Sequence, residues 1–268
     1  MGRTARVTPA DYRAAIGDAI CAAMIEHADV AAVWEGGSAA TGRLDEYSDI
    51  DVVIVAGLDG APAIFDAVEH ALSGVDRIVH TWRVEPAPFP DTAQRFYFLA
   101  GAPRFFAVDC VIVTETAAQQ FLELERHGEP RVLFDRTGTI RALPLDHATL
   151  AARRAQRLAQ LQGAIPVYRM LVEKELARNH PLEALGFYQA WLRALIELLG
   201  MRHRPDRFDY GWRYVESELP ADAQALIRRY AFVAGKSVLK QKTDDLDAEL
   251  TRQLEAVSAS LRADPPSP

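Results

Sequence analysis

The chain has 268 residues, of which 49% are hydrophobic and 25% are charged, so it can bury a substantial core in one large domain or two modest ones. We expect two domains. The net charge of −7 argues against broad affinity for nucleic acid, because such binding depends on lysine and arginine neutralising phosphates. Nucleic acid is therefore not an expected partner.

The two cysteines and the N-terminal composition exclude further classes of protein. Cys21 falls in a helical pattern and Cys110 in a strand pattern, so neither a disulfide framework nor a cysteine metal site is supported. No run of about 18 apolar residues occurs, and residues 1–11 lack the apolar block of a signal peptide. We expect a cytoplasmic protein that does not enter the membrane.

The first half of the chain predicts helices alternating with short strands. Thr8 can cap a first helix that runs to about His27. The following elements are predicted in chain order: a strand at 30–34, a strand at 50–56, a helix at 61–73, strands near 76–84, 95–100 and 104–113, a helix at 116–126 and a strand at 132–135. The three middle strands have no helix between them, which indicates antiparallel neighbours. This order predicts a mixed sheet with helices on one face, an α+β architecture.

From Asp146 onward the pattern becomes helical. Apolar residues recur at three- and four-residue spacing in five segments: 147–162, 166–178, 182–199, 219–234 and 244–262. Gly163 and Pro166 predict a break between the first two of these helices. The predicted boundaries are therefore a mixed domain at 1–143, an all-helical domain at 144–262 and a disordered tail at 263–268. The apolar helices can also support a homodimer.

The stretch most informative about chemistry joins a strand, a glycine turn and a second strand. Trp34-Glu35-Gly36-Gly37-Ser38 is followed, ten residues later, by Asp49-Ile50-Asp51. Alternation along the second strand places Asp49 and Asp51 on one face, about 6 to 7 Å apart at the backbone. Hard oxygen ligands on a rigid strand suit Mg²⁺, which usually takes one or two protein carboxylates and completes its octahedron with water and substrate phosphates. Two such ions can hold the attacking and leaving oxygens of a displacement at phosphorus.

The glycine turn has a complementary interpretation as an anion site. Gly36 and Gly37 allow backbone amides to approach an anion closely. Ser38, predicted to begin a short helix, adds a hydroxyl and the positive end of a helix dipole for a β- or γ-phosphate. A simple turn at 36–38 and a cap role for Asp49 remain the structural alternatives.

These residues resemble the nucleotidyltransferase superfamily, typified by DNA polymerase beta and the aminoglycoside adenylyltransferases. The family signature is a glycine–serine pair, roughly ten residues and a D-x-D strand. The form seen in antibiotic adenylyltransferases is matched here by Gly37-Ser38, Gly42, Ser48 and Asp49-Ile50-Asp51. The resemblance covers residues 30–113. It implies a mixed-sheet nucleotidyltransferase domain followed by a helical domain that holds the substrate.

The resemblance also implies a third carboxylate on a neighbouring strand, and Asp109 is the matching residue. An ionised aspartate within an apolar strand is costly unless it is paired or bound to metal, so a purely structural role is less attractive. The implied roles are Asp49 and Asp51 as Mg²⁺ ligands, and Asp109 as a third ligand or as the base that takes the acceptor's proton. Glu173 or Glu175 in the helical half is the second choice for the base.

Further nucleotide contacts follow from the motif loop and from a late lysine. Arg43 and Ser48 lie in the motif loop, where an arginine reaches phosphate or forms a surface ion pair. Lys236 corresponds to the late lysine with which related transferases hold the nucleotide, and a solvated face is the alternative. The basic segment 202–207 either binds phosphate or caps the preceding helix.

The resemblance implies transfer of a nucleoside monophosphate, AMP from ATP or the equivalent from another nucleoside triphosphate, to an acceptor hydroxyl with release of pyrophosphate. The acidic first half suits a cationic, hydroxyl-rich small molecule such as an aminoglycoside, with Glu35, Asp45 and Glu46 as partners for its amines, and hence a role in antibiotic resistance. Two alternatives stay open: a protein-modifying (AMPylating) transferase of the antitoxin type, and a non-catalytic nucleotide-binding module. Three converging carboxylates disfavour the second, since a pure binder has no need of them.

Overall fold

The computed structural model describes residues 8–138 and 140–263 and divides the chain into two compact units, Met1–Leu145 and Asp146–Pro268. Apart from its first residue, the predicted tail lies outside the described residues. Among the described residues, no helix combines the length and the apolar character needed to cross a membrane.

The first unit is a mixed sheet with helices, which confirms the predicted α+β class. Its strands are β1 (Val30–Glu35), β2 (Ile50–Ala56), β3 (Ile78–Arg83), β4 (Thr92–Leu99), β5 (Val108–Val113) and β6 (Arg131–Asp135). Its helices are α1 (Pro9–Glu26), α2 (Gly37–Ala40), α3 (Ala61–Val75), α4 (Glu115–Ala118) and α5 (Leu124–His127). At the start of α1, Thr8 and Asp11 form a reciprocal capping box and Pro9 occupies the first turn, as local chemistry favours.

The strand order is β3-β4-β5-β2-β1-β6. β2 and β5 are parallel, whereas the other four pairings are antiparallel. The antiparallel run of β3, β4 and β5 agrees with the short connections between these strands. β3 lies at one edge of the sheet, and five of its six residues are exposed.

The two faces of the sheet have different coverings. One face packs against α1 and α3 and forms the main core, to which β2 contributes Ile50, Val52 and Ile54. A smaller cluster on the opposite face contains Val55 of β2 and Val113 of β5, with α4 packed against them. Since side chains alternate along a strand, Asp51 and Asp109 belong to this second face.

The second unit is helical. It consists of α6 (His147–Ala177), α7 (Pro181–His203), α8 (Val215–Glu218), α9 (Ala221–Ala231) and α10 (Lys236–Ala263). The 31-residue α6 runs through Pro166, so the predicted break is wrong. Proline removes one backbone hydrogen bond, but Leu161, Ile165 and Val172 stay buried on the faces packed by α7 and α10, and this packing keeps the helix continuous.

The predicted helix at 116–126 is also wrong. The chain forms α4, a 3₁₀ turn at Gln119–Phe121, and then α5. The interruption occurs because Leu143 pairs with the chain between the two helices, donating to the Leu122 carbonyl over 2.7 Å and accepting from the Leu124 amide over 2.8 Å. Tertiary hydrogen bonding thus overrides local helix propensity here.

Candidate active site

The parallel pairing of β2 and β5 brings two of the predicted carboxylates together. Asp51 and Asp109 are direct partners in the register, so their side chains extend from the same face of adjacent strands. Both are partly buried, and each is the second residue of its strand. Asp49 lies just before β2, where the Arg13 guanidinium donates to its backbone carbonyl. The sequence pattern therefore located two acidic groups that the fold places side by side.

Gly37 makes room for the Asp51 carboxylate. Its φ is +54°, and a Cβ built at this position would lie 1.8 Å from Asp51 Oδ2. Any side chain would collide with the carboxylate, so glycine is required for a reason that the anion-site interpretation did not include. The motif turn and the D-x-D strand are in this way packed against each other.

The other glycine of the turn, Gly36, has a role within the protein. Its amide donates to the Asp51 carbonyl over 2.9 Å and so is already used within the protein. The helix that follows, α2, has only four residues, and a single turn carries little of the dipole on which the predicted anion site relied. These findings move the candidate phosphate contacts from Gly36 to Gly37 and Ser38.

Ser38 carries a buried hydroxyl whose Oγ has no hydrogen-bond partner among the residues that the structure describes. Leaving a buried polar atom unpaired costs free energy, and native proteins rarely do so without a reason. A bound phosphate oxygen or a bound water would satisfy the hydroxyl. This orphaned atom, one residue after Gly37, is consistent with a ligand site at the turn.

Gln94 is a site residue that the sequence did not reveal. Its amide Nε2 donates to Asp109 Oδ1 over 2.7 Å from the neighbouring strand β4. The bond fixes the carboxylate's orientation. The predicted strand began one residue later, at 95, so the alternation that points Gln94 toward Asp109 could not be seen.

Arg13 is a second residue that the sequence did not reveal. It extends from α1 to Glu35 at 2.8 Å and to the Asp49 carbonyl, and Arg131 contacts the other Glu35 oxygen at 2.8 Å. Glu35 is 1% exposed. The prediction that Glu35 contacts the amines of an acceptor is therefore wrong, because the carboxylate is buried between two arginines. An arginine in the middle of an otherwise apolar helix face was the available signal.

The motif loop is organised by its own polar groups. Asp45 Oδ1 accepts hydrogen bonds from the Ser48 hydroxyl at 2.8 Å and from the Tyr47 amide at 3.0 Å. Ser48 therefore shapes the loop, and its hydroxyl is already engaged. Arg43 is exposed, and its amide donates to the Ser38 carbonyl over 2.9 Å, which closes the turn after α2. Phosphate contacts by Arg43 and Ser48 stay predictions.

The turn after α5 packs directly against the motif. Gly128 has a φ of +79°, and a Cβ there would lie 2.3 Å from the Ala40 carbonyl oxygen. The next amide, that of Glu129, donates to the same oxygen over 3.0 Å. The C-terminal end of α2 is thus held from a segment almost ninety residues later in the chain.

Cys110, beside Asp109, belongs to the core. It is completely buried on the face that packs against α1 and α3. Burial raises the pKa of the Cys110 thiol, and the neighbouring Asp109 carboxylate raises it further. The thiol therefore stays protonated and inert, as the strand alternation predicted.

In the second unit, Lys236 begins α10 and lines a groove of about 550 Å³ together with Glu173 and Lys240. Its ammonium donates to Asn179 Oδ1. Lys242 donates to the carbonyls of Arg229 and Phe232 and so caps the end of α9. Nucleotide binding by Lys236 stays a prediction.

The two glutamates considered as alternative bases already have partners. Glu173 pairs with Arg169 at 2.8 Å. Glu175 is largely buried and contacts His180 at 3.1 Å and Arg178 at 3.0 Å. The hydrogen bond to His180, aided by the nearby Arg178 and Lys174 charges, lowers the pKa of Glu175 and makes it a weaker base.

The basic segment 202–207 serves the fold. Arg204 is buried and donates to the Gly211 carbonyl over 2.6 Å, and both Arg204 and Arg207 contact Glu218. These contacts hold the loop after α7 in place. They favour a structural role for this segment over phosphate binding.

The acidic pair fits Mg²⁺ by the chemistry of its donors. Asp51 and Asp109 offer hard oxygens from rigid strands on one face, next to an orphaned hydroxyl. Within residues 8–138 and 140–263, no group of three or more Asp, Glu, His or Cys side chains could hold a metal by itself. Mg²⁺ does not require one, since it usually takes one or two protein carboxylates and fills its remaining positions with water and phosphate. The three-carboxylate set stays a prediction.

One segment of the chain matches a known protein family. Residues 20–68, which include β1, the glycine turn and β2, match the family model described as a nucleotidyltransferase domain. The match covers part of the first unit. This match confirms the predicted superfamily and the predicted enzyme class.

The other comparisons carry no further argument. No curated protein matches the chain. A nucleotidyltransferase-like protein from Exiguobacterium sibiricum 255-15 aligns over 91% of this chain and 74% of its own, with 11% identity and a TM-score of 0.39. A STING-associated CdnE c-di-GMP synthase from Capnocytophaga granulosa aligns over 91% and 83%, with 15% identity and a TM-score of 0.30.

Proposed function

We propose that the chain transfers a nucleoside monophosphate, AMP from ATP, to the hydroxyl of a small acceptor in a Mg²⁺-dependent reaction that releases pyrophosphate. The observation that carries this proposal is the in-register pair of Asp51 and Asp109, with Gly37 packed on Asp51. Such a pair beside a turn with an orphaned serine hydroxyl is suited to a triphosphate and a second reactant. A homodimer stays part of the proposal.

The turn is the proposed binding site for the triphosphate. The Ser38 hydroxyl, buried and unpaired among the described residues, donates to a β- or γ-phosphate oxygen. Gly37 has no side chain, so its backbone can approach the same anion. When bound, Mg²⁺ would be held by Asp51 and Asp109, with Asp49 as the further ligand that the sequence predicts, and it would neutralise charge on the phosphate oxygens.

Asp109 is the proposed base. It accepts the proton of the acceptor hydroxyl while the new bond forms between that oxygen and the α-phosphorus, and the bond from the α-phosphorus to the bridging oxygen breaks so that pyrophosphate leaves. Gln94 holds one Asp109 oxygen at 2.7 Å, and this contact orients the carboxylate. Glu175 is less suited, because His180 and Arg178 already stabilise its ionised form.

The proposed acceptor is a small molecule, with an aminoglycoside-like antibiotic as the first candidate. Exposed Glu46 and partly engaged Asp45 lie in the motif loop and can attract a cationic acceptor. Glu35 no longer supports this choice, because Arg13 and Arg131 neutralise it. Protein modification and nucleotide binding without transfer are the competing outcomes.

A labelling experiment separates these outcomes. The full chain is incubated with Mg²⁺ and α-labelled ATP in the presence of aminoglycosides, lincosamides, nucleosides or cell lysate, with Asp51→Asn as the inactive control. We expect a labelled small product and stoichiometric pyrophosphate. A labelled polypeptide would establish protein modification instead, and ATP binding without pyrophosphate release under every condition would refute transfer.

A further inference from the structure

A single row of side chains crosses the sheet at the level of the carboxylates. Asp51 is paired with Asp109, Asp109 with Phe96, and Phe96 with Trp82, on β2, β5, β4 and β3 respectively. Paired residues extend from the same face, so the two rings continue the line of the two carboxylates. Neighbouring strands are about 4.8 Å apart, which places Phe96 next to Asp109 and Trp82 one strand further.

This face is the one opposite α1 and α3. On β4, Arg95 stacks on Phe65 and pairs with Glu69, both of α3, and Tyr97 lies in the main core. Phe96 and Phe98 alternate with them and extend from the other side. The rings are therefore not part of the core that stabilises the sheet.

These rings form a surface that we call the aromatic shelf and define as His80, Trp82, Phe96 and Phe98, of which Phe96 is partly buried and the other three are exposed. Trp82 and Phe96 stack with centroids 5.4 Å apart and planes 19° apart, and His80 lies 5.8 Å from Phe98. Trp82 is 54% exposed and Phe98 is 42% exposed. Exposed aromatic rings grouped beside polar groups mark a ligand surface, because isolated hydrophobic residues rather than clusters are the norm on protein surfaces.

The sheet order separates the shelf from the proposed phosphate site. The shelf lies on β3 and β4, on one side of the Asp51 and Asp109 pair, whereas Gly37 and Ser38 follow β1 on the other side. A displacement at phosphorus needs the acceptor and the leaving pyrophosphate on opposite sides of the reacting atom. The shelf is therefore on the acceptor's side.

We infer that the aromatic shelf binds the acceptor, and that the acceptor is a nucleoside or nucleotide whose base stacks on Trp82 and Phe96 while a sugar hydroxyl reaches Asp109. This inference rests on the proposed transfer reaction, and it names a nucleoside or nucleotide as the acceptor in place of the aminoglycoside-like antibiotic. Stacking on aromatic side chains is how proteins hold unpaired bases, since every base has a π-face. The four shelf residues include no carboxylate, so the shelf lacks the groups that would favour a polycationic sugar.

The test measures binding separately from transfer. The full chain is saturated with Mg²⁺ and a non-hydrolysable ATP analogue, which fills the donor site, and adenosine, guanosine or kanamycin is then titrated by calorimetry. We expect a nucleoside to bind the saturated protein, and Trp82→Ala to weaken that binding about tenfold, within the range of one lost base stack. Trp82→Phe should restore most of the affinity. Trp212→Ala is the matched control, because Trp212 is 49% exposed but lies in the second unit.

Three results would overturn the inference. The first concerns nucleosides: the saturated protein binds neither of them, or Trp82→Ala leaves their binding unchanged. The second is kanamycin binding that depends on Trp82 in the absence of nucleoside binding. The third is that Trp82→Ala affects another ligand: weaker binding of the ATP analogue would assign the shelf to the donor, and dissociation of a dimer would assign it to a second copy of the chain.

The two proposals fail in different ways. Nucleoside binding that depends on Trp82, without any transfer of label, would contradict the proposed function and leave the shelf as a binding site. Transfer of label with an acceptor KM that Trp82→Ala does not change would support the function and refute the shelf.

Discussion

The glycine turn of the first unit and the groove of the second unit use their polar side chains differently. At the ends of β2 and β5, the fold packs Gly37 against Asp51 and leaves the buried Ser38 hydroxyl without a hydrogen-bond partner among the described residues. In the groove of the second unit, charged groups are matched within the protein: Lys236 with Asn179, and Glu173 with Arg169.

This difference indicates where a ligand completes the structure. A polar group that already has a partner loses an interaction when it turns to a ligand, whereas a buried orphan gains one. The first unit therefore carries the proposed chemistry, and the second contributes at most weaker contacts. Substitutions in the two regions should have effects of very different size.

The largest effect is expected for Asp51→Asn. Removing a principal charge from the reacting centre should lower kcat by about a thousandfold, the scale seen when a main electrostatic element is lost. The rate of pyrophosphate release with saturating ATP measures this. Asp59→Asn, which alters an exposed carboxylate of the same unit, should be near normal. Turnover by Asp51→Asn within tenfold of the natural protein would remove Asp51 from the mechanism.

Gly37→Ala should have the next largest effect. The added methyl would meet Asp51 Oδ2 at 1.8 Å and displace the carboxylate, and a misplacement of this kind costs about a hundredfold in rate. Gly138→Ala is the matched control, because its φ is +68° but no atom lies within 4 Å of the new methyl among the described residues. Both variants carry the same backbone strain, so equal activities would show that the contact with Asp51 is unimportant.

Gln94→Leu should reduce kcat by about tenfold, since it removes one hydrogen bond to a charged group. Gln94 contacts Asp109, the proposed base, so we expect kcat to fall while the KM for ATP stays constant. Gln119→Leu, an exposed substitution in the same unit, provides the comparison. A rise in the KM for ATP with unchanged kcat would place Gln94 in the donor site instead.

The smallest effect concerns stability and belongs to the second unit. The pKa of Glu175 is lowered in the folded protein by His180, Arg178 and Lys174, so its ionised form contributes stability above the unfolded pKa, and this contribution is lost as pH falls through the folded pKa. Glu175→Gln should therefore lower the thermal midpoint at pH 7 and have no effect once the pH lies below the folded pKa. Catalytic rate should not change.

Glu255→Gln, on the exposed side of α10, is the control for this titration. A midpoint difference between Glu175→Gln and the natural protein that persists unchanged in acid would show that packing, and not ionisation, is responsible.

The sequence was most informative where local rules decide the structure. Alternation along β2 and β5 correctly separated Asp51 and Asp109 from the core, and the capping residues correctly located the start of α1. What the sequence could not supply was register. The pairing of Asp109 with Phe96, and of Phe96 with Trp82, depends on which residues of distant strands lie side by side.

The errors have the same origin in tertiary contacts. Leu143 interrupts a helix that local propensity favoured, and packing by α7 and α10 carries α6 through Pro166. Glu35 was predicted to contact a substrate because the residues near it in sequence do not indicate its ion pairs with Arg13 and Arg131. Ion pairs between residues far apart in the chain are invisible to periodicity.

The parallel pairing of β2 with β5 has a consequence for the newly made protein. Asp51 and Asp109 are separated in the chain by α3, β3 and β4, and only the long-range association of the two strands brings them together. Such non-local pairings are slow to form because the intervening chain must first be closed into a loop. A partly folded molecule in which β2 and β5 have not yet paired therefore lacks the proposed reactive centre.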